Sequence, residues 1–216
     1  MSRPRFLAPL SALAAALAAC ASTGIVYDAT AFRRRPQDAT PVRVGRLPER
    51  PGDAAAPVAY VSGMMIDTDG LVRDPRRRRA IERRDPNHKP ETALRYADGT
   101  PLDPAMIPYI VLPVLYDGAK TGDLAVIQYG ARTVLAVVGD RGPEGVLGAA
   151  SVAAAEALGI DADATTGGVA SGVSYTVFPG TGQENIIGPN ELLAWIHDRG
   201  WELYLRHFRS EDSQTK

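Results

Sequence analysis

The chain has 216 residues, a formal net charge of −1, 45% hydrophobic and 23% charged residues, which is room for one compact domain with appendages and too little for two large ones. So even a charge balance supplies no general drive toward nucleic acid or a membrane surface. Twenty-one glycines and 17 prolines beside 6% aromatics favour a turn-rich fold over a helical bundle.

Arg3 and Arg5 open the chain ahead of an apolar, small-residue run from Leu7 to Ala19, too short to span a bilayer permanently. The run ends in Leu17-Ala18-Ala19-Cys20, which resembles the bacterial lipoprotein cleavage signal. That resemblance implies that Cys20 is acylated and becomes the mature N-terminus; the plainer alternative is an ordinary signal peptide with an incidental cysteine. Cys20 is the single cysteine, so it has no internal disulfide partner, and an exported chain would otherwise carry a reactive thiol. Residues 1–19 are therefore read as a lipoprotein signal peptide and Cys20 as the lipid anchor. Its removal takes Arg3 and Arg5 and leaves 22 basic against 25 acidic residues. Ala21, not aspartate, follows the cysteine, so the expected location is the bacterial cell envelope, at the outer membrane in a Gram-negative cell.

Residues 20–57 mix Pro, Gly, Arg and Ala without periodicity and are expected to form a flexible, lipid-anchored tether. Compact order is predicted from Val58, where VAYVSGMMIDTDG reads as strand, turn and strand closing on an Asp-Gly turn. Six arginines between Arg76 and Arg84 follow. They could bind a polyanion, but one basic cluster in an acidic protein favours a solvated loop or short helix whose arginines pair with Asp74, Glu82 and Asp85. No nucleic-acid partner is expected, and the segment is placed off any groove for a cationic substrate.

Beyond it the chain turns β-rich. ALRY (Ala93 to Tyr96), YIVLPVLY (Tyr109 to Tyr116), GDLAVIQYG (Gly122 to Gly130) and RTVLAVVGD (Arg132 to Asp140) are short apolar runs separated by Gly and Asp turns, as in an antiparallel sheet or barrel. SVAAAEALGI reads as a helix capped at Gly159, and GVSYTVF (Gly172 to Phe178) as a late strand. The tail carries Leu192, Leu193, Trp195, Ile196, Trp201, Leu203, Tyr204 and Phe208 at helical spacing, with a break or kink expected near Gly200. That stripe suits core packing better than sugar stacking.

Carboxylates on turns are the candidates for chemistry. Asp140 stands where a buried run meets a glycine turn; it is either a partly desolvated acid catalyst or an Asx turn organising Gly142 and Pro143. Asp67 and Asp69 of IDTDG raise the same choice, with calcium or plain turn formation beside it, and two acids are too few for a metal site. His88, His197 and His207 have no metal-ligand spacing. There is no GxSxG, GxGxxG or P-loop, and no cofactor or metal is expected.

In chain order MMIDTDG, PYIVLP, GDLAVIQYGARTVLAVVGD and GVSYTVF resemble glycoside hydrolase family 75, the fungal-type chitosanases and their bacterial relatives. The resemblance covers residues 58–182 and implies a β-1,4-linked amino-sugar polysaccharide substrate, cleaved with inversion. Residues 58–209 would form the chitosanase-like domain, with 210–216 a disordered tail. The family's catalytic aspartate falls on Asp140. Its glutamate, nine positions on, falls on Ala149, which cannot transfer a proton, so activity is expected to be weakened or lost. Asp67, Asp69, Glu144 and Tyr175 are then the candidates for substrate binding or for a second acid. GDRGP with the following helix also resembles double-psi β-barrels of rare lipoprotein A, expansins and A-type lytic transglycosylases. Together these imply a mainly β fold with flanking helices: a six-stranded double-psi-like β-barrel with a C-terminal helix. They leave two alternatives to the glycosidase: a single-aspartate lytic enzyme acting on peptidoglycan, or a non-catalytic glycan-binding envelope lipoprotein.

Overall fold

A computed structural model describes residues Val26–Tyr27, 42–183 and 185–208; the signal peptide, Cys20 and the tail from 210 lie outside the described residues. Eight strands are present among them: β1 (Val26–Tyr27), β2 (Val42–Arg46), β3 (Val58–Asp67), β4 (Tyr109–Pro113), β5 (Leu124–Tyr129), β6 (Arg132–Gly142), β7 (Ala149–Ser151) and β8 (Val169–Phe178). Three helices accompany them: α1 (Pro75–Arg84), α2 (Val152–Leu158) and α3 (Pro189–Phe208).

The protein is mainly β, with a closed six-stranded barrel and a C-terminal helix. Six strands pair in the ring β3-β7-β4-β6-β5-β8, which closes through β8 onto β3. Two neighbours run parallel, β3 with β7 and β4 with β6; the other four pairings are antiparallel. Exchanging β3 with β6, β4 with β7 and β5 with β8 leaves every pairing unchanged, so each half of the chain supplies three interlocked strands. The registers obey the same exchange. Ile66 faces Ala150 and Asp67 faces Ser151 on one side; Val138 faces Ile110 and Asp140 faces Val111 on the other, with a bulge at Gly139. Asp67 and Asp140 therefore occupy equivalent positions in the two halves.

Period-two alternation sorts the strand residues between two cores. Tyr60, Met64, Ile110, Leu112, Ala136, Val138, Tyr175 and Val177 fill the barrel. On its outer wall Tyr109, Val111, Leu124, Val126, Val137 and Ala149 pack with Leu192, Ile196 and Leu203 of α3. Closure removes the exposed edges that an open sheet of these apolar strands would present.

The elements differ from the sequence reading in several places. Residues 42–57, expected in the tether, belong to the folded unit: β2 pairs with β3, Val42 and Leu47 are buried, and Asp53 is held by α3. The run from Val58 is one strand with a bulge between Ser62 and Met64, not two strands. Ala93 to Tyr96 contributes only an isolated bridge, Arg95 to Pro101. Helix α3 passes through Gly200 unbroken, and Gly200 packs closely on β6, where a Cβ would sit 3.3 Å from Leu135 Cβ. Elsewhere α2 begins after Ser151, whose hydroxyl accepts the Ala154 N–H, and ends at Gly159 in the left-handed conformation, φ 72°.

The arginine segment is helix α1, capped by Asp74, which accepts the N–H groups of Arg76 and Arg77. Only Arg78 finds an expected partner, Glu82 at 4.0 Å. Arg77 and Arg84 reach outside the segment to Glu156 and Asp163, and Asp85 accepts the Thr68 hydroxyl instead.

Asp53 is 3% exposed and lies against His207 at 3.0 Å and Arg206 at 3.1 Å. Burial raises its pKa, but the Arg50 N–H, His207 and Arg206 outweigh that and hold it below the ordinary value. Its contribution is thus present above the unfolded carboxyl pKa and is lost as pH falls through the lower folded one. Asp53→Ala is expected to cost about 1–3 kcal/mol in urea unfolding, because it removes the acceptor of the Arg50 N–H, Arg206 and His207, while Arg206 keeps Glu202. A loss below 1 kcal/mol would show that residues 47–57 are not docked as described.

Candidate functional site

The chemistry gathers on the barrel's outer wall, at the last residues of β3 and β6. Strand β3 ends in an Asx turn: Asp67 Oδ1 accepts the Asp69 N–H at 2.7 Å. The Tyr109 hydroxyl from β4 lies 2.6 Å from the Asp69 carbonyl and 3.2 Å from Asp67 Oδ1, so one side chain ties both aspartates to the wall. Gly139 makes this possible, since a Cβ there would lie 2.5 Å from Tyr109 Cβ. Asp140 follows directly, its Oδ1 accepting the N–H groups of Ala93 and Arg141, both at 2.8 Å.

A strap of residues 88–93 covers the same corner. The Lys89 N–H donates to Asp69 Oδ1 at 2.7 Å, and the His88 ring meets the Thr68 carbonyl at 2.8 Å. The segment after α1 therefore borders the site, whereas the sequence placed the whole basic region away from it. Arg141, although next to Asp140, directs its guanidinium to the carbonyls of Pro113, Tyr116 and Ala119.

One oxygen from each of Asp67, Asp69 and Asp140 lies within 4.8 Å of the others; Asp67 and Asp69 are partly exposed and Asp140 is 9% exposed. Among the described residues this is the grouping compact enough to share a cation, but three donors fall short of the six to eight oxygens that Ca²⁺ takes. Crowded carboxylates resist ionising together. Burial, then repulsion from Asp69 and Asp140, pushes Asp67 up to about 7 against the opposing Asp69 N–H and Tyr109. Burial raises Asp69, with the Lys89 N–H and charge pulling the other way. It raises Asp140 as well, opposed by the Arg141 and Ala93 N–H groups and by Lys89. The wall thus carries one acid that keeps its proton near neutrality beside two that burial also raises, against backbone N–H groups that pull them down.

This arrangement costs stability when Asp67 ionises. The folded state binds more protons than the unfolded one between the ordinary carboxyl pKa and about 7, so stability falls as pH rises through that window. Asp67→Asn keeps an oxygen for the Asp69 N–H and is expected to raise the melting temperature at pH 8, with the gain fading below pH 4. Calorimetry at both pH values checks this; an equal shift at both would put the effect on packing instead of charge.

The other sequence candidates fall elsewhere. Glu144 sits on the turn after β6 and accepts the Leu115 N–H at 3.2 Å, outside the three-carboxylate group. Tyr175 is wholly buried inside the barrel, stacked on Tyr60 at 4.8 Å, with its hydroxyl donating to the Gly63 carbonyl at 3.0 Å. No polysaccharide reaches it. Alternation in Val173-Ser174-Tyr175-Thr176-Val177 places Tyr175 with the inward valines and was the available sign. Tyr109 was missed because its strand is apolar and buried throughout. Ala149 lies on β7 between Met65 and Val111, 8% exposed and on the same wall face as Asp67 and Tyr109.

No family model matches the chain, and none of the curated proteins does. Among solved structures the chain is similar to a Streptomyces papain inhibitor, at 17% identity over 58% of this chain and 96% of the inhibitor, with a TM-score of 0.35. That is a weak structural neighbour.

Proposed function

We propose that the protein is a cell-envelope lipoprotein whose barrel carries a chitosanase-like glycoside hydrolase site for β-1,4-linked amino-sugar polysaccharide. The observation that carries this reading is the set of three wall carboxylates, one of them raised to about 7. Glycosidic cleavage needs a protonated carboxyl at the leaving oxygen and ionised carboxylate near the anomeric carbon. Asp67 meets the first need and Asp140 the second. The cluster's negative charge also favours a polymer bearing ammonium groups. The interlocked halves of the barrel, with their two parallel pairings, support the double-psi-like arrangement expected from the sequence. Cys20 would anchor the protein to the envelope.

Ala149 sets the expected level of activity. The ladder puts it on the face that bears Asp67, two strands from Asp140, where a carboxylate could activate water. With alanine there, turnover is slow. The same vacancy favours a second reading, a barrel that binds glycan without cleaving it.

Incubating the purified protein with chitosan oligomers and, separately, with peptidoglycan sacculi discriminates these readings by mass spectrometry of the products. Shortened chitosan oligomers with ordinary reducing ends are expected, with a rate that falls above about pH 7 as Asp67 loses its proton. Anhydro-muropeptides would replace this reading with a lytic one, and retention on chitosan without product would leave only binding.

A further inference from the structure

Half of the arginines of α1 are not spent on the fold. The helix buries no residue. On its inner side Arg77 reaches Glu156 and the Ala105 carbonyl, Arg84 reaches Asp163, and Ala80 and Ile81 line a cleft against Val152 of α2. Arg76, Arg79 and Arg83 follow one another at helical spacing, which puts them on one stripe turned away from that side. All three are exposed, and no described carboxylate lies within ion-pair distance of their guanidinium groups. The nearest acids are already committed. Asp74 caps the helix by accepting the Arg76 and Arg77 N–H groups, which leaves a longer-range attraction to Arg79, and Glu82 lies 4.0 Å from Arg78 on the neighbouring stripe.

A protein of formal net charge −1 thus concentrates unneutralised positive charge on one exposed helix face. Like charges one turn apart repel, and an anionic partner relieves that cost. The stripe holds no apolar residue, so it offers no surface for hydrophobic burial. It offers planar guanidinium forks, which match the oxygens of a phosphate. Cys20 stands six residues before Val26 of β1, a reach of about 20 Å, so an acylated chain keeps the domain close to its bilayer. Resting on the envelope placement proposed above and not on the glycosidase reading, we infer that Arg76, Arg79 and Arg83 form a docking surface for the anionic phospholipid headgroups of that bilayer. The contact is electrostatic, with the helix lying on the headgroups and not among the acyl chains.

Sedimentation of the full-length protein with vesicles of phosphatidylcholine alone, and of equal parts phosphatidylcholine and phosphatidylglycerol, tests this. Preferential binding to the anionic vesicles is expected, weakening as sodium chloride is added. The triple variant R76Q/R79Q/R83Q is expected to bind the anionic vesicles about 10²-fold less, about fivefold for each charge removed, and the neutral ones as before. Glutamine keeps the helix propensity and no ion pair is lost, so its thermal unfolding should match the wild type. Any hold exerted by the apolar leader or by an acyl group on Cys20 is common to both proteins, so the comparison does not depend on acylation. Equal binding of the wild type to the two vesicles overturns the proposal, as does a triple variant with an unchanged preference for the anionic ones. Retention on heparin without that preference overturns it in favour of a soluble polyanion. The wild-type comparison needs no variant, and chitosan cleavage, read separately, stands or falls apart from it.

Discussion

Asp140→Asn is expected to lower the rate of chitosan-oligomer cleavage by about 10²–10⁴-fold, the range that a positioned acid, base or nucleophile contributes. The variant separates chemistry from fold. An asparagine oxygen still accepts the Ala93 and Arg141 N–H groups, so the strap of residues 88–93 and the end of β6 keep their anchor. Removing one charge from the three-carboxylate group also relieves repulsion, which predicts an unchanged or higher melting temperature. Loss of activity with an intact melting transition places Asp140 in the reaction. Loss of both would make it a structural turn residue, the plainer alternative that the Gly-Asp sequence left open.

Ala149→Glu is the larger change in the other direction. Position 149 is opposite Met65 and Val111, and Asp140 is opposite Val111 one strand farther on. A glutamate at 149 adds a carboxylate to the face that bears Asp67, two strands from Asp140. The variant thereby gains a candidate base. Cleavage is expected to rise by about 10²-fold, within the range for general base catalysis. Ala149 is 8% exposed among Tyr109, Val111 and Met65, and the longer side chain costs about 1–3 kcal/mol of stability through overpacking. An unchanged rate would mean that residue 149 does not face the reacting bond, and the pairing of this chain with the chitosanases would be out of register.

Much of the barrel was legible because its strands are long enough to show their pattern. YIVLP, LAVIQY and RTVLAVVGD are apolar runs bounded by turn residues, and each became a strand within a few positions of its expected ends. Strand β7 was not legible. Ala-Ala-Ser has no β preference and runs straight into an alanine-rich helix; only Met65 and Val111 on either side make it a strand. The fate of Ala149 was hidden with it, since a helical residue would not share a face with Asp67. The edge segment 42–57 was equally hidden, because its ordering depends on β3 and on Asp53 finding Arg206 and His207 far along the chain.

The candidate site was legible in its members and not in its geometry. Asp67, Asp69 and Asp140 each stood out as carboxylates at turns, but nothing local says that the turns meet. They meet because β3 and β6 flank the β7–β4 pair at equivalent registers in the ring. The helical stripe of the tail was rightly read as core along Leu192, Ile196 and Leu203, while Trp201 stays 48% exposed and stacks on Tyr204 at 5.3 Å.

The proton on Asp67 is the point on which the account turns. Carbon-13 NMR titration of the Asp67 carboxyl, assigned by comparison with Asp67→Asn, measures it directly. A midpoint near 7 is the predicted result. A midpoint near 4 would mean that the three carboxylates ionise independently, and the wall would hold no acid fit to protonate a leaving sugar.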